Sequence, residues 1–432
     1  MQKTLLVILD GLGDRPVKSL GGKTPLEAAC TPNMDKMVSD GICGTMNAMP
    51  KNLYPTSEES HLAILGYDFK ADYPGRGVLE ALGIGIKLKP DELAFRANFA
   101  TVDNDLNLVD ARAGVIDSVK DLAKACNDIE IDNVRFKIYP SLQHRAVLVV
   151  SGGPVKKYIN GMGSRLHEND KKGSGNGSGL ISDTDSHKAG PRKMGVRVLH
   201  PKAYGSSKEG KTVARALERY QLLTHEILSE NKINKKRIKK GKPPANFIVT
   251  RGCGYLKDVE PFSKKFKVKA VCIAGAPLYK GIAAYLGMKV MSVRGATGKL
   301  DTNISAKAKA VQKALKKNDF VFLHIKGTDM AAEDYGDGKM KKEFIEKIDK
   351  ELGRFLGKKN VKIAVTADHS TPCVLKDHSS DPVPVLINSQ FTIHNSQSNG
   401  QVSSVKFGER ECKKGSLGHI YGKDFMRILL KR

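Results

Sequence analysis

The chain has 432 residues, with 72 Lys plus Arg against 46 Asp plus Glu and a formal net charge of +26. Hydrophobic residues make up 40% and charged residues 27%, a globular composition that excludes a largely disordered chain and has room for about two to four domains. No apolar run approaches the roughly 20 residues a bilayer span needs, so a membrane partner is not expected.

The N-terminal segment runs straight into Leu5–Leu9, an apolar stretch too short for the core of a signal peptide. The 7 cysteines form no CxxC pair, which argues against a disulfide framework or zinc ribbon and for a reducing, cytoplasmic setting. The basic excess is spread along the chain. Its one dense run, Lys232–Lys242 (KINKKRIKKGK), has no interleaved aromatics on which bases would stack, so a nucleic-acid partner is disfavoured. A solvated basic surface and a field that draws in a small anionic substrate both fit the charge. Composition leaves a homo-oligomer open.

In chain order, Thr4–Leu9 reads as a buried parallel strand that ends in Asp10 and a Gly-Leu-Gly turn. The turn-rich stretch Tyr54-Pro-Thr-Ser-Glu-Glu-Ser-His61 carries Ser57 and leads into apolar Leu62–Leu65. Segments 94–102, 134–139 and 145–150 then read as short strands, Lys172–Gly179 as a low-complexity loop and Lys211–Ser229 as a long helix. Together they predict an α+β domain at residues 86–265, inserted into an α/β domain made of residues 1–85 and 266–432. The α/β domain resumes with a strand over Val268–Ile273, helices over Asn303–Lys316 and Lys339–Leu356, and strands over Phe320–Ile325 and Val361–Thr366. These last two strands run toward Asp329 and toward Asp368-His369, with His378 nine residues further on.

Three strands far apart in sequence therefore each deliver an acid beyond their carboxyl ends, where open α/β sheets keep their functional groups. A lone acid after a strand usually caps a turn, and a lone Ser in a loop means little. The joint set of carboxylates and imidazoles suits Mn²⁺, Zn²⁺ or Mg²⁺. Two such ions can clamp a phosphoryl group, and a hydroxyl bound to one becomes a nucleophile at neutral pH.

The whole chain resembles the archaeal-type cofactor-independent phosphoglycerate mutases of the alkaline phosphatase superfamily. The resemblance runs from Ile8-Leu-Asp-Gly-Leu-Gly-Asp-Arg-Pro16 to Gly415-Ser-Leu-Gly-His-Ile420. Between them lie Gly22-Lys-Thr-Pro-Leu-Glu-Ala-Ala29, Leu65-Gly-Tyr-Asp68, Gly75-Arg-Gly77, Ser182-Asp-Thr-Asp185 and Ala274-Gly-Ala-Pro-Leu-Tyr-Lys-Gly281. It implies an alkaline-phosphatase-like three-layer α/β sandwich with a mostly parallel sheet, plus the inserted domain gripping glycerate. It also implies interconversion of 3-phosphoglycerate and 2-phosphoglycerate through a phosphoserine, with two divalent ions, usually Mn²⁺, and no 2,3-bisphosphoglycerate. Carried over, Ser57 is the nucleophile and Lys280 lies near the phosphate. One ion is held by Asp10, Ser57, Asp368 and His369, the other by Asp329, His378 and whatever stands at position 333.

A small carboxylate substrate calls for arginine, which grips it with two parallel hydrogen bonds. Arg76, Arg96, Arg112 and Arg145 are the candidates, with Asp183, Asp185 or His144 for acid–base help at the hydroxyls. Two departures stand out: Glu333 replaces the family's usual His, and Thr56-Ser57-Glu58 replaces its usual Gly-Ser-Asp. A divergent metal-dependent phosphatase or phosphotransferase, or a pseudoenzyme with a degraded metal site, is the alternative.

Overall fold

A computed structural model describes residues 2–162, 180–185, 195–355, 360–388 and 406–431. The low-complexity stretch Lys172–Gly179 lies outside them, as does Leu356 at the end of one expected helix. The strands among the described residues are β1 (Lys3–Leu9), β2 (Ile42–Asn47), β3 (Leu93–Val102), β4 (Leu108–Asp110), β5 (Ile129–Ile131), β6 (Val134–Pro140) and β7 (Arg145–Gly152). They continue with β8 (Phe247–Tyr255), β9 (Ala270–Ile273), β10 (Lys289–Val290), β11 (Phe320–Ile325), β12 (Val361–Thr366), β13 (Val383–Asn388) and β14 (Gly418–Tyr421). The helices used below are α1 (Ser57–Ile64), α2 (Arg76–Gly83), α3 (Lys208–Ser229), α4 (Lys232–Lys239), α5 (Pro277–Tyr285), α6 (Ile304–Leu315), α7 (Gly327–Glu333) and α8 (Gly338–Leu352).

The chain divides into two compact units, residues 1–73 with 259–432, and residues 74–258. The expected boundaries were 86 and 265. Residues 74–85 go with the second unit because α2 lies directly on its sheet: a Cβ at Gly77 would meet the Ala94 carbonyl oxygen at 2.2 Å. Residues 259–265 go with the first, where the Phe262 N–H donates to Leu286 O at 2.8 Å and the Phe262 ring lies 5.0 Å from that of Phe320.

The first unit is built on an eight-stranded sheet in the order β10-β9-β11-β1-β12-β13-β2-β14. From β10 to β12 the pairs are parallel; β13 runs antiparallel to β12 and β2. β1 sits between β11 and β12, in register from Thr4↔Phe320 and from Lys3↔Val361. Its sequence, KTLLVIL, is buried from Thr4 onward because helices cover both faces of a parallel sheet. In α8 the buried Phe344, Ile345, Ile348 and Leu352 form one stripe, and Asp337 caps the helix by accepting from the N–H groups of Lys339 and Met340. Asn303 does the same for α6, accepting from the Ala306 N–H. These caps explain why the two helices start where they do.

The second unit holds an antiparallel sheet in the order β4-β3-β7-β6-β5, with β8 on the other side of β3. β3 (LAFRANFATV) is buried along its whole length, charged Arg96 included. The long α3 packs Val213, Leu217 and Tyr220 into the same core as Phe95, Phe136 and Leu148. The basic run forms α4, in which Asn234 is the buried residue. No helix among the described residues is long and apolar enough to cross a membrane.

Candidate metal centre and arginine cluster

Because β11, β1 and β12 are neighbours in that order, the acids that follow them arrive side by side. Gly11 makes the turn after β1 at φ +64°, where a Cβ would meet the Asp329 Cα at 2.9 Å. Asp10, Asp329, Asp368 and His369 are all buried. Two groups of ligand-type atoms lie within 4.8 Å of one another: Asp10, Asp368 and His369, and Asp329, His369 and His378. His369 is common to both. Its Nε2 stands 3.2 Å from Asp368 Oδ2, 3.6 Å from Asp10 Oδ1 and 3.2 Å from the Ser57 hydroxyl. Ser57 is the first residue of α1, so its side chain sits at the positive end of that helix.

The donor set fits a divalent ion. Asp10 Oδ1 and Asp368 Oδ2 are buried and accept no hydrogen bond, though both face His369 Nε2. The ring orientations agree. His378 Nδ1–H donates to Pro55 O at 2.9 Å, which leaves Nε2 directed at Asp329 Oδ1, 3.6 Å away. His369 Nδ1–H donates to the Thr371 hydroxyl at 3.1 Å, which likewise leaves Nε2 for the acids. Ligating imidazoles are ordinarily oriented this way, through the other ring nitrogen.

The charges are balanced from within. Lys326 Nζ lies 2.6 Å from Asp329 Oδ2 and 3.4 Å from Asp10 Oδ2. Burial alone would raise the pKa of Asp10, but Lys326, then His324 and His369, hold it well below the ordinary value. Asp329 is lowered despite its burial, chiefly by Lys326. Asp368 is lowered despite its burial and Asp10, by His369 and His61. Burial would lower His369, yet Asp368 and the other acids push it up to about 9.

Sequence reading missed a supporting layer. Tyr279 on α5 donates its hydroxyl to Asp10 Oδ2, and His324 within β11 stands 3.3 Å from the same oxygen. His61 Nδ1–H donates to the Ser57 carbonyl at 2.6 Å and lies 3.5 Å from Asp368 Oδ2. The available signal was the single His within the otherwise apolar, buried β11; His61, which follows Ser and Glu residues in α1, gave none. Lys280 follows Tyr279 on α5 and is half-buried; the lysine that bonds Asp10 and Asp329 is Lys326. Glu333 lies one turn after Asp329 at the end of α7 and is in neither ligand group. It borders solvent, yet its carboxyl is desolvated enough that burial, then Asp329, raises it to about 6.

The second unit gathers cations instead. Arg96 on β3 pairs in register with Arg251 on β8, and Asn98 with Arg145 on β7. Like charges opposite each other on a sheet repel. Arg96 is 5% exposed, and burial, then Arg251, Arg76 and Arg145, pulls it well below its ordinary pKa. Glu80 on α2 opposes them, 3.9 Å from the Arg96 guanidinium and 3.5 Å from Arg76 Nε. His144 is buried and held down to about 3, by burial first and then by Arg145, Arg96 and Arg112. Arg96 Nε, Arg145 Nε and His144 Nδ1 are buried without a hydrogen bond. Buried polar groups rarely stay so, which marks a place for an anion with several acceptor atoms. Of the other expected residues, Asp183 accepts from the Gly252 N–H at 2.8 Å, and Asp185 is buried with its N–H on Thr250 O. Arg251, which sequence reading left out, belongs to this cluster.

A family model described as the metalloenzyme superfamily matches residues 2–432. A 2,3-bisphosphoglycerate-independent phosphoglycerate mutase of Methanocaldococcus jannaschii is 41% identical over 434 residues, 99% of this chain and 96% of that protein. One from Thermococcus kodakarensis is 42% identical over 99% of this chain and 97% of its own length. Among solved structures, the cofactor-independent phosphoglycerate mutase of Thermoplasma acidophilum is 30% identical with a TM-score of 0.64, covering 100% of this chain and 99% of that one. A protein from Pyrococcus horikoshii is 35% identical with a TM-score of 0.79, covering 100% and 97%.

Proposed function

The chain belongs to the metalloenzyme superfamily and, within it, to the 2,3-bisphosphoglycerate-independent phosphoglycerate mutases, and from this premise we propose how its own residues carry that reaction. It is an isomerase that interconverts 3-phosphoglycerate and 2-phosphoglycerate without 2,3-bisphosphoglycerate. Ser57 Oγ is the nucleophile that takes the phosphoryl group and returns it to the other hydroxyl of the bound glycerate. The observation that carries this is the Ser57 hydroxyl, 3.2 Å from Nε2 of His369, the residue common to both ligand groups.

Asp10, Asp368 and His369, with Ser57, hold one divalent ion; Asp329 and His378, with Glu333 from the next turn of α7, hold the second. With its carboxylate-rich donors this set favours Mn²⁺. When bound, such ions supply Lewis acidity toward the phosphoryl oxygens and lower the pKa of a serine hydroxyl. The positive end of α1 stabilises the phosphoserine dianion, and His61 fixes the backbone that carries it. Lys326 and Lys280 neutralise phosphoryl oxygens. Arg76, Arg96, Arg112, Arg145 and Arg251 grip the carboxylate of glycerate, and His144, Asp183 and Asp185 govern protons at its hydroxyls. A cytoplasmic setting belongs to this reading, since all the cysteines are free.

The test is an assay of the purified protein with 3-phosphoglycerate and Mn²⁺ and no 2,3-bisphosphoglycerate, measuring both 2-phosphoglycerate and free phosphate. Formation of 2-phosphoglycerate is expected. Ser57→Ala should lose activity by a factor on the order of 10⁴ or more with an unchanged melting curve. Near-normal turnover in that variant rejects the phosphoserine.

A further inference from the structure

One hydroxyl touches both ligand groups. Thr371 Oγ1 accepts from His369 Nδ1–H at 3.1 Å and donates to Asp329 Oδ1 at 2.8 Å. Both bonds use the hydroxyl fully, since its single proton goes to the carboxylate and a lone pair takes the imidazole N–H. Thr371 is itself fully buried, so water offers neither partner a substitute.

Its backbone has little freedom. The Thr371 N–H donates to Gly13 O at 3.0 Å. Its carbonyl accepts from Lys341 Nζ at 3.0 Å. Lys341 is a fully buried lysine on α8 that also bonds Gly13 O at 3.2 Å and Asp14 Oδ2 at 2.8 Å. Asp14 in turn accepts from the Cys373 N–H at 3.0 Å. The loop that follows Asp10 and the loop that follows His369 are thus stapled to one ammonium group. That staple holds the Thr371 hydroxyl between the two acid groups.

We infer that Thr371 is a positioning residue that couples the two metal positions, aiming His369 Nε2 at Asp10 and Asp368 while fixing the Asp329 carboxylate on the other side. This rests on the two-ion reading above. Removing the hydroxyl frees the His369 ring to turn and leaves two buried polar atoms unsatisfied, so both positions loosen together. A ligand of one position, such as His378, lacks that reach.

The experiment is calorimetric titration of Mn²⁺ into chelator-stripped full-length protein and into Thr371→Val, Thr371→Ala and Thr371→Ser. Circular dichroism and thermal melting of each metal-free variant identify those that are folded, and Ala serves where Val does not fold. Wild type should take up two ions. The hydroxyl-free variant should bind both about 10–100-fold more weakly, the range expected for losing an outer partner of a ligand. Thr371→Ser should stay within about threefold of wild type, and His378→Ala should weaken one ion alone. A hydroxyl-free variant with unchanged affinities, or with only one weakened, overturns the coupling, as does a Ser variant as impaired as Val. If wild type makes 2-phosphoglycerate and Thr371→Val binds as wild type does, the mutase reading stands and this one falls. Wild type that takes up no Mn²⁺ overturns both.

Discussion

In the first unit three carboxylates converge in a desolvated place, and the chain supplies the opposing charge itself. Lys326 lies between Asp10 and Asp329, and His369 carries a proton up to about pH 9. In the second unit arginines converge, and the burial of Arg96 is compounded by Arg251, Arg76 and Arg145, against which Glu80 is a weaker counterweight. The acid cluster therefore carries its own counter-charge, a built-in ammonium that holds it together. The arginine cluster spends folding stability on a charge that only a ligand relieves. A site for a small cation can keep a lysine in waiting; here the anion site leaves the buried Nε atoms of Arg96 and Arg145 without a hydrogen bond.

Breaking the built-in balance should have the largest effect. Lys326→Met leaves buried carboxylates without their nearest cation, so the metal-free protein should lose about 3 kcal/mol in denaturant unfolding. Mn²⁺ should restore most of that loss. Equal destabilisation with and without Mn²⁺ would show that Lys326 does not stand in for an ion.

The second unit should respond in the opposite sense. Arg96→Met removes the most crowded cation, so the unfolding midpoint of the ligand-free protein should rise. KM for 3-phosphoglycerate should increase by about 30-fold or more, as expected for truncating a buried charge pair. A larger share of phosphate should be lost to water. A variant that is less stable and binds substrate normally would make Arg96 a structural residue.

The comparison sharpens at Glu333, which among the candidate ligands is the exposed one. In Mn²⁺ titration Glu333→Ala should weaken one ion by about tenfold and leave the other untouched. Because this carboxyl is raised to about 6, that ion should also weaken below pH 6 in wild type more than in the variant. An unchanged isotherm removes Glu333 from the site.

A pH-dependent effect concerns His144, whose pKa is depressed from 6.5 to about 3 in the folded state. Its contribution to stability is full above about pH 6.5 and is lost as the pH falls toward 3, where the unfolded chain binds the proton first. Between pH 7 and pH 4, His144→Gln should therefore lose less stability than wild type, by about 3 kcal/mol. Parallel losses would show that His144 does not titrate against the arginines.

Much of the first unit was legible because strands buried on both faces leave apolar runs, and the acids within a few residues of their carboxyl ends fall at the sheet edge. Asp10, Asp329 and Asp368 were found in this way. What stayed hidden depends on pairing between distant segments. Arg251 gains its meaning only from the register that sets it opposite Arg96. Lys326, Tyr279 and Thr371 act on acids delivered by other strands, and a lysine or threonine in a turn carries no local mark of such a partner. The boundary at residue 74 was hidden for a related reason: Gly77 matters through its close approach to Ala94, a contact that spacing does not encode.

The position of β1 between β11 and β12 also sets a timetable. The strand that leads to Asp10 leaves the ribosome long before both of its neighbours, β11 and β12, which begin at Phe320 and Val361. At the usual pace of synthesis it waits roughly half a minute for them. The second unit has no such debt, since the partners of its strands lie within residues 74–258, and it can be complete while the first is still a set of unpaired apolar strands. The acids of the metal centre therefore stay apart until β12 has been made, and a product truncated before it carries none of the assembled site.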